Sequence, residues 1–325
     1  MTISSLTIRF RKWPGPVGPE GLFFKKLFEV VTQREIEIVD SLDGDVDIEI
    51  ESVYGERQIP SLNSRLHRFI GSHLPGGIDF SNRNHTPNQQ PSGSGRVKVF
   101  YTGENERPPE GRWDAYLSFD MHSFDGRNAY LPLWWITSSD LLIPTISPYL
   151  GKPITIDQML NPRVPDLTNR KKFCVAFIGK AYPFRMHAIS AISKLGKVDV
   201  YGGIARETRH TRAEEKYEIA QDYKFVFAFE NDLYPGYVTE KVPEAWATGA
   251  VPLYWGSDPA GYLNQKSFIN LANFPTLEDF VEKVSEVDQN DELWLRYASE
   301  PLLIKTPSLD NVIEVLKKAC EPLKR

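Results

Sequence analysis

The sequence predicts an α/β protein built from two Rossmann-like domains. Strand and helix signals alternate through the first half of the chain, which is the order that a layered βαβ domain requires. The same scheme starts again at Lys171, after a stretch rich in proline and polar residues. With 325 residues, the chain is long enough for two domains that each bury a core.

The first predicted domain covers residues 1–150. Short runs of β-branched and aromatic residues predict its strands, and apolar residues at helical spacing predict its helices. We predict strands at Ser5–Arg11, Ile36–Val39, Val46–Ile50 and Val97–Tyr101, and helices at Gly21–Val31 and Leu62–His73. The polar, glycine-rich stretch at 75–95 predicts an exposed loop, either a neutral insertion or a substrate-facing segment.

Acidic residues recur at alternate positions between residues 43 and 51. The run lacks the spacing of the glycine and the terminal glutamate that a calcium loop requires. Because apolar residues occupy the intervening positions of the strand, we predict that the acidic side faces solvent. The residues are Asp43, Asp45, Asp47, Glu49 and Glu51.

The second predicted domain covers residues 171–306 and follows a connection at 151–170. Its first strand, KFCVAFIG, leads into a helix from Phe184 to Leu195 and then a strand, VDVYGG. Residues 307–325 carry a final helix, Leu309–Leu323, with an apolar stripe that we expect to pack on the protein.

The segment from Tyr223 to Gly256 is a strand, a turn, a helix and a second strand. The aromatic run YKFVFAF predicts a buried parallel strand, and Pro235 and Gly236 predict a turn. Thr239 then has the position of an N-cap for a helix that runs from Glu240 to Thr248. The run AVPLYWG predicts the next strand.

Two cationic residues have positions suited to a bound phosphate. Lys241 lies in the first turn of the helix that follows Thr239, and Arg185 lies at the start of a helix after a strand and the Gly179 turn. Ligands of open α/β sheets bind outside the carboxyl ends of strands, where helix N-termini favour anions. The alternatives are a solvated helix start for Lys241 and a surface arginine for Arg185.

Glu104 is a candidate general base. It lies in the run FYTGEN, just past the carboxyl end of a predicted strand. A carboxylate in such a position can accept a proton from a substrate hydroxyl. The alternative is that Glu104 and Glu106 are exposed loop residues.

Composition excludes several classes of function. The net charge of −5 argues against a broad nucleic-acid surface. Cys174 and Cys320 have no metal-binding or disulfide spacing and suggest a reducing compartment, and the six histidines form no zinc pattern. The sequence has no transmembrane segment and no signal-peptide core at its start.

The run FAFENDLYPGYVTEK, with the small-residue helix and VP-x-x-x-G strand that follow, resembles the signature of the α1,3/α1,4-fucosyltransferases. The likeness is strongest from about Lys172 to about Phe274. The matching residues are Phe229, Glu230, Asn231, Tyr237, Thr239, Glu240, Lys241, Gly249, Val251, Pro252 and Gly256.

This resemblance implies the GT-B architecture, with two Rossmann-like domains facing a cleft and a C-terminal helix. It implies an inverting enzyme that moves L-fucose from GDP-β-L-fucose to a hydroxyl, the 3-OH, of N-acetylglucosamine in a glycan. Glu104 would be the general base, and Arg185 and Lys241 would stabilise the departing GDP. Residues 1–150 would bind the acceptor, and residues 171–306 would bind the donor.

The resemblance assigns further residues to ligand contacts. Asn231, Tyr237 and Glu240 would contact the nucleotide, ribose or sugar hydroxyls; Asn231 could instead satisfy turn backbone, and Tyr237 could instead pack. Trp13 would stack on the acceptor sugar or pack, and the same alternatives apply to Trp134 and Trp135.

No cofactor, metal or nucleic acid is expected, and the oligomeric state is open. Relatives in eukaryotes carry a membrane anchor and luminal disulfides, so this chain resembles the bacterial, cytoplasmic kind. Peripheral association with the inner membrane is compatible with that expectation. The alternatives are a transferase for another GDP-deoxyhexose and a catalytically silent nucleotide-sugar or glycan-binding protein. An NAD-dependent dehydrogenase fits worst, because no GxGxxG follows either domain's first strand.

Overall fold

A computed structural model describes residues 5–13, 18–41, 44–53, 90–91, 93–144, 153–203 and 213–324. The described residues fall into two units, one within Met1–Ile59, Ser81–Thr145 and Pro307–Arg325, the other within Ile146–Thr306. Each unit contains one β-sheet whose neighbouring strands run parallel. The predicted helix at 62–73 and most of the 75–95 segment lie outside the described residues.

The first unit has a six-stranded sheet in the order β2-β1-β3-β4-β5-β6. Its elements are β1 Leu6–Arg11, α1 Pro19–Thr32, β2 Ile36–Ile38, β3 Ile48–Glu51, β4 Val97–Tyr101, β5 Ala115–Ser118, β6 Asn128–Tyr130 and α2 Leu133–Thr137. The last described α-helix, Asp310–Ala319, contacts α1, β5 and β6, and a short 3-10 helix, Glu321–Lys324, follows it. The apolar stripe of the α-helix, including Val312 and Leu316, is buried, so the predicted packing of the apolar face is confirmed.

Glu49 and Glu51 of β3 are buried, so the prediction of a solvent-facing acidic side is wrong for these two residues. Asp45 is exposed as predicted, Asp47 is half-buried, and Asp43 lies outside the described residues. Arg9 and Arg11 of β1 pair in register with Glu49 and Glu51 of β3. Arg11 Nε lies 2.8 Å from Glu49 Oε2, and Lys12 Nζ lies 2.5 Å from Glu51 Oε1. Basic side chains on the neighbouring strand therefore compensate the desolvation of the carboxylates.

We expect Glu49→Ala to lower the free energy of unfolding of the first unit by about 3 kcal/mol, because it leaves the buried Arg9 without its carboxylate. Glu37→Ala on β2 is the matched control, since Glu37 is an exposed strand glutamate. The control should change stability by less than about 0.5 kcal/mol. Urea unfolding followed by circular dichroism measures both, and equal shifts would contradict the argument.

The second unit has a five-stranded sheet in the order β11-β10-β9-β7-β8. Its elements are α3 Ile156–Leu160, β7 Lys172–Phe177, α4 Pro183–Ile192, β8 Val198–Tyr201, α5 Ala213–Ala220, β9 Tyr223–Phe229, α6 Lys241–Ala247, β10 Val251–Trp255, β11 Ile269–Asn270, α7 Leu277–Asp288 and α8 Asp291–Ser299. The last described α-helix, Asp310–Ala319, is then α9.

The strands and helices predicted around residues 172–256 are present, with ends within a few residues of the prediction. One face of the sheet carries Phe225, Phe227 and Phe229, which pack in a core with Phe280 of α7 and Trp294 of α8. This packing fixes the central strand β9, whose carboxyl end leads into the candidate site. None of the described helices is long and apolar enough to cross a membrane.

Candidate functional site

The candidate site lies at the carboxyl ends of β7 and β9. From β7 the chain moves outward to β8 and then returns to the other side of β7 as β9. Such a reversal of strand order leaves a crevice at the carboxyl ends, where open α/β sheets bind their ligands. Arg185 on α4 follows β7, and Glu230 and Asn231 follow β9 directly.

Glu230 organises the loop between β9 and α6. Its side chain has no exposed surface, and its oxygens accept hydrogen bonds from the backbone N–H of Thr239 at 2.8 Å and the Thr239 hydroxyl at 2.7 Å. The predicted capping role of Thr239 is therefore wrong. Helix α6 begins at Lys241 with Glu240 as its N-cap, and no side chain caps it.

Gly236 supplies the turn in the same loop. Its φ of +87° is in the left-handed region, where a glycine adopts the conformation without strain. Its N–H donates to the carbonyl of Ser257, which lies just beyond β10. The loop is thus fixed to the neighbouring strand end as well as to β9.

Lys241 is held by oxygen atoms of the protein. Its Nζ lies 3.2 Å from Glu230 Oε2 and 3.4 Å from Glu240 Oε1, and it donates to Thr239 Oγ1 at 2.8 Å. Burial acts to lower the pKa of Lys241, but the charges of Glu230 and Glu240 outweigh it and raise that pKa. The side chain is 23% exposed, so it remains open to a ligand, and the alternative of a solvated helix start does not hold.

Arg185 is buried, with 6% of its surface exposed, so the alternative of a surface arginine is wrong. Its Nη2 donates to the carbonyl of Phe229 and to Asn231 Oδ1, both at 2.9 Å. Burial lowers the pKa of Arg185, while the charge of Glu230 opposes that shift. Among the described residues no acceptor bonds to Arg185 Nε, so this N–H keeps its hydrogen-bonding capacity.

The predicted donor-site residues come together in the second unit. Asn231 joins Arg185 to Tyr237, whose hydroxyl lies 3.4 Å from Asn231 Nδ2. Arg185, Glu240 and Lys241 line one cavity of about 100 Å³. Asn231 and Tyr237 are not among the residues that line this cavity; Asn231 holds Arg185 by a hydrogen bond, and Tyr237 contacts Asn231.

Sequence reasoning missed two charged residues of this cavity. Lys216 of α5 and Glu244 of α6 also line it. Glu244 follows Glu240 by four residues, and that spacing places both on one face of a helix. The same spacing could have identified Glu244 once Glu240 was assigned to the site, whereas nothing local points to Lys216.

The carboxyl-terminal end of α6 is held by two further arginines that the sequence analysis did not select. Arg170 donates to the carbonyl of Thr248 at 2.8 Å, and Arg163 donates to the carbonyls of Trp246 and Ala250. Burial lowers the pKa of Arg163 to about 9 and that of Arg170 to about 10. Cations suit the negative end of a helix dipole, so these side chains fix α6 opposite its ligand-facing end.

Glu104 belongs to the first unit and is half-buried. Its backbone N–H donates to Thr102 Oγ1, and the Thr102 hydroxyl donates to its carbonyl. A Cβ at Gly103 would lie 2.8 Å from the Tyr101 hydroxyl oxygen and 2.9 Å from Leu133 Cδ1, so a larger residue there would require these side chains to shift. The loop holds Glu104 just beyond the carboxyl end of β4, and its role as a base stays a prediction.

The tryptophans are packed among other side chains. Trp134 and Trp135 are buried, so acceptor stacking is wrong for both. Trp13 is half-buried, and its ring centroid lies 4.8 Å from that of Phe10 and 5.8 Å from that of Tyr101. Packing therefore accounts for much of the Trp13 surface, and its contact with an acceptor stays a prediction.

The described residues contain no group of three or more His, Cys, Asp or Glu side chains placed to hold a metal ion. In the candidate site the positive charges are instead Arg185, Lys216 and Lys241. Arginine and lysine can contact phosphate oxygens through charge-assisted hydrogen bonds. The site is thus chemically suited to a phosphorylated ligand.

Comparison with known proteins identifies relatives of this chain. Residues 167–312 match the glycosyltransferase family 10 (fucosyltransferase) C-terminal domain. A putative fucosyltransferase, R654, of Acanthamoeba polyphaga mimivirus is 33% identical over 160 residues, which are 45% of this chain and 27% of that protein. The α-(1,3)-fucosyltransferase FucT of Helicobacter pylori is 28% identical over 218 residues, 61% of this chain and 45% of that protein. The chain therefore spans less than half the length of these curated relatives.

A solved α1,3-fucosyltransferase with GDP-fucose shares the fold. The TM-score is 0.66 at 22% identity, and the match covers 99% of this chain and 92% of that chain. The likeness extends through both units of the chain. It confirms the predicted GT-B fold class.

Proposed function

We propose that this chain is a member of glycosyltransferase family 10, whose C-terminal domain matches residues 167–312, and that it transfers L-fucose from GDP-β-L-fucose to a glycan. The observation that carries the proposal is the cavity lined by Arg185, Glu240 and Lys241, which lies within the family 10 segment. Its three cations, Arg185, Lys216 and Lys241, suit the diphosphate of a nucleotide sugar. The name of the solved structure, a fucosyltransferase with GDP-fucose, supports the same donor.

The proposed reaction inverts the configuration at the anomeric carbon. The acceptor hydroxyl attacks that carbon on the face opposite GDP, and the bond between the carbon and the diphosphate oxygen breaks. Glu104 accepts the hydroxyl proton. Arg185 and Lys241 stabilise the negative charge that grows on the departing diphosphate, so no metal ion is needed.

The proposed acceptor is an N-acetylglucosamine-containing glycan, with the 3-OH as the attacking group. Named relatives support this assignment, among them the 4-galactosyl-N-acetylglucosaminide 3-α-L-fucosyltransferase 9 of Bos taurus, 27% identical over 142 residues. That match covers 42% of this chain and 39% of the relative. The dependence of GDP release on N-acetyllactosamine tests this acceptor.

We expect the protein to release GDP from GDP-fucose when N-acetyllactosamine is present, and to do so in a chelator such as EDTA. GDP-mannose is the control donor, and omission of the acceptor gives the background hydrolysis. Release from GDP-mannose at an equal rate would contradict the donor assignment. Binding of GDP-fucose without GDP release in the presence of any acceptor would instead indicate a catalytically silent binding protein.

A further inference from the structure

We propose that Glu230 is a positioning residue that holds Lys241 in place for the donor diphosphate. The inference rests on the proposed function, because it takes Lys241 as a diphosphate ligand. Glu230 itself lies beneath the loop, with a side chain that has no exposed surface. It therefore acts through Lys241 and does not touch the substrate.

Glu230 is rigidly placed by the sheet. Its backbone N–H donates to the carbonyl of Trp255 at 3.0 Å and so continues the pairing of β9 with β10. A buried carboxylate is costly unless donors satisfy its oxygens. Thr239 supplies two of those donors and Lys241 supplies the third. Through these hydrogen bonds, the ammonium group of Lys241 is fixed relative to the sheet.

The three oxygens around Lys241 Nζ are not equivalent. An ammonium group has three N–H donors, and Thr239 Oγ1, Glu230 Oε2 and Glu240 Oε1 lie at 2.8, 3.2 and 3.4 Å. Thr239 and Glu230 are both 1% exposed as whole residues, whereas the Glu240 side chain is 13% exposed and makes the longest contact. A phosphate oxygen can therefore replace Glu240, while Glu230 and Thr239 continue to orient the lysine.

Removing the charge of Glu230 is an experiment that distinguishes a positioning role from a merely structural one. Glu230→Gln keeps the size of the side chain and an oxygen that can accept from Thr239, but it removes a negative charge beside the diphosphate site. If Lys241 is misplaced, GDP should depart more slowly. In GDP binding, the weaker contact with Lys241 should be offset by the loss of a negative charge that repels the diphosphate. Turnover and GDP affinity should therefore change differently.

We expect Glu230→Gln to lower kcat about 10- to 100-fold, with the dissociation constant for GDP changed less than about threefold.

A second experiment does not need turnover. Lys241 is acetylated by acetic anhydride at pH 8, and its labelling is quantified by mass spectrometry relative to that of Lys197. Loss of the carboxylate favours the neutral, reactive amine, so labelling of Lys241 should rise at least about threefold. Glu278→Gln, an exposed glutamate of the same unit, should match the parent protein in all three measurements.

Unchanged labelling of Lys241, a kcat within about twofold of the parent, or equal losses of kcat and GDP affinity would each overturn the positioning role. If Glu230→Gln does not fold, Thr239→Val takes its place, since it removes the hydroxyl that lies between Glu230 and Lys241. Like Glu230→Gln, Thr239→Val should lower kcat and raise the labelling of Lys241. A parent protein that neither binds GDP nor uses GDP-fucose would contradict the proposed function, while the labelling would still test the contact between Glu230 and Lys241.

Discussion

Lys241→Ala should lower kcat/KM for GDP-fucose about 10²- to 10³-fold, the effect of removing one preorganised group that stabilises transition-state charge. The reason is the position of the ammonium group at the start of α6, beside Arg185 in the same cavity. GDP binding should also weaken, because the proposed contact of Lys241 with the diphosphate would exist before and after the transfer. Initial rates of GDP release and calorimetry with GDP measure the two effects.

Lys197→Ala is the control for this variant. Lys197 belongs to the same unit, and its side chain is 84% exposed and pairs with Asp199 near the surface. Its loss should leave kcat/KM within about twofold, since surface ion pairs contribute little. A Lys241→Ala protein that folds and keeps kcat/KM within the same range would exclude Lys241 from leaving-group stabilisation.

The parallel-sheet architecture could be predicted from the sequence because its signals are local. The run YKFVFAF forms β9, and the turn residues Pro235 and Gly236 lie between β9 and α6. Parallel strands place their carboxyl ends at one edge of a sheet, so the pattern also predicted that Arg185 and Lys241 would be neighbours. Both line the same cavity.

Contacts between distant segments could not be predicted in this way. The acidic run on β3 has the alternation of a half-exposed strand, but its partners Arg9 and Arg11 lie about 40 residues earlier in the chain. Whether such a face is solvated depends on which strand pairs with it and in which register. The sequence pattern of one strand does not contain that information.

The capping role predicted for Thr239 was wrong for a related reason. A threonine before a helix is a sound N-cap candidate, but a buried carboxylate nine residues earlier competes for its hydroxyl. Helices α7 and α8 show the opposite case, since their caps Thr276 and Asn290 do bond to the following backbone. Those two helices carry local signals that the sequence analysis did not use.

Glu104→Gln should lower kcat about 10²- to 10⁴-fold, the range for loss of a general base. Glutamine keeps the shape of the side chain and cannot accept the proton of the acceptor hydroxyl. GDP affinity should stay unchanged, because Glu104 lies in the first unit and the donor cavity lies in the second. Single-turnover transfer from labelled GDP-fucose, with GDP binding measured in parallel, separates chemistry from donor affinity.

Glu106→Gln is the matched control, because Glu106 is a half-buried glutamate of the same loop, two residues further on. Its kcat should stay within a few-fold of the parent, as expected for a residue that does not touch the reacting atoms. Undiminished turnover in Glu104→Gln at equal donor affinity would contradict the assignment of the base. A large loss in Glu106→Gln alone would move the base to Glu106 and leave the donor site, which is built on separate residues, as proposed.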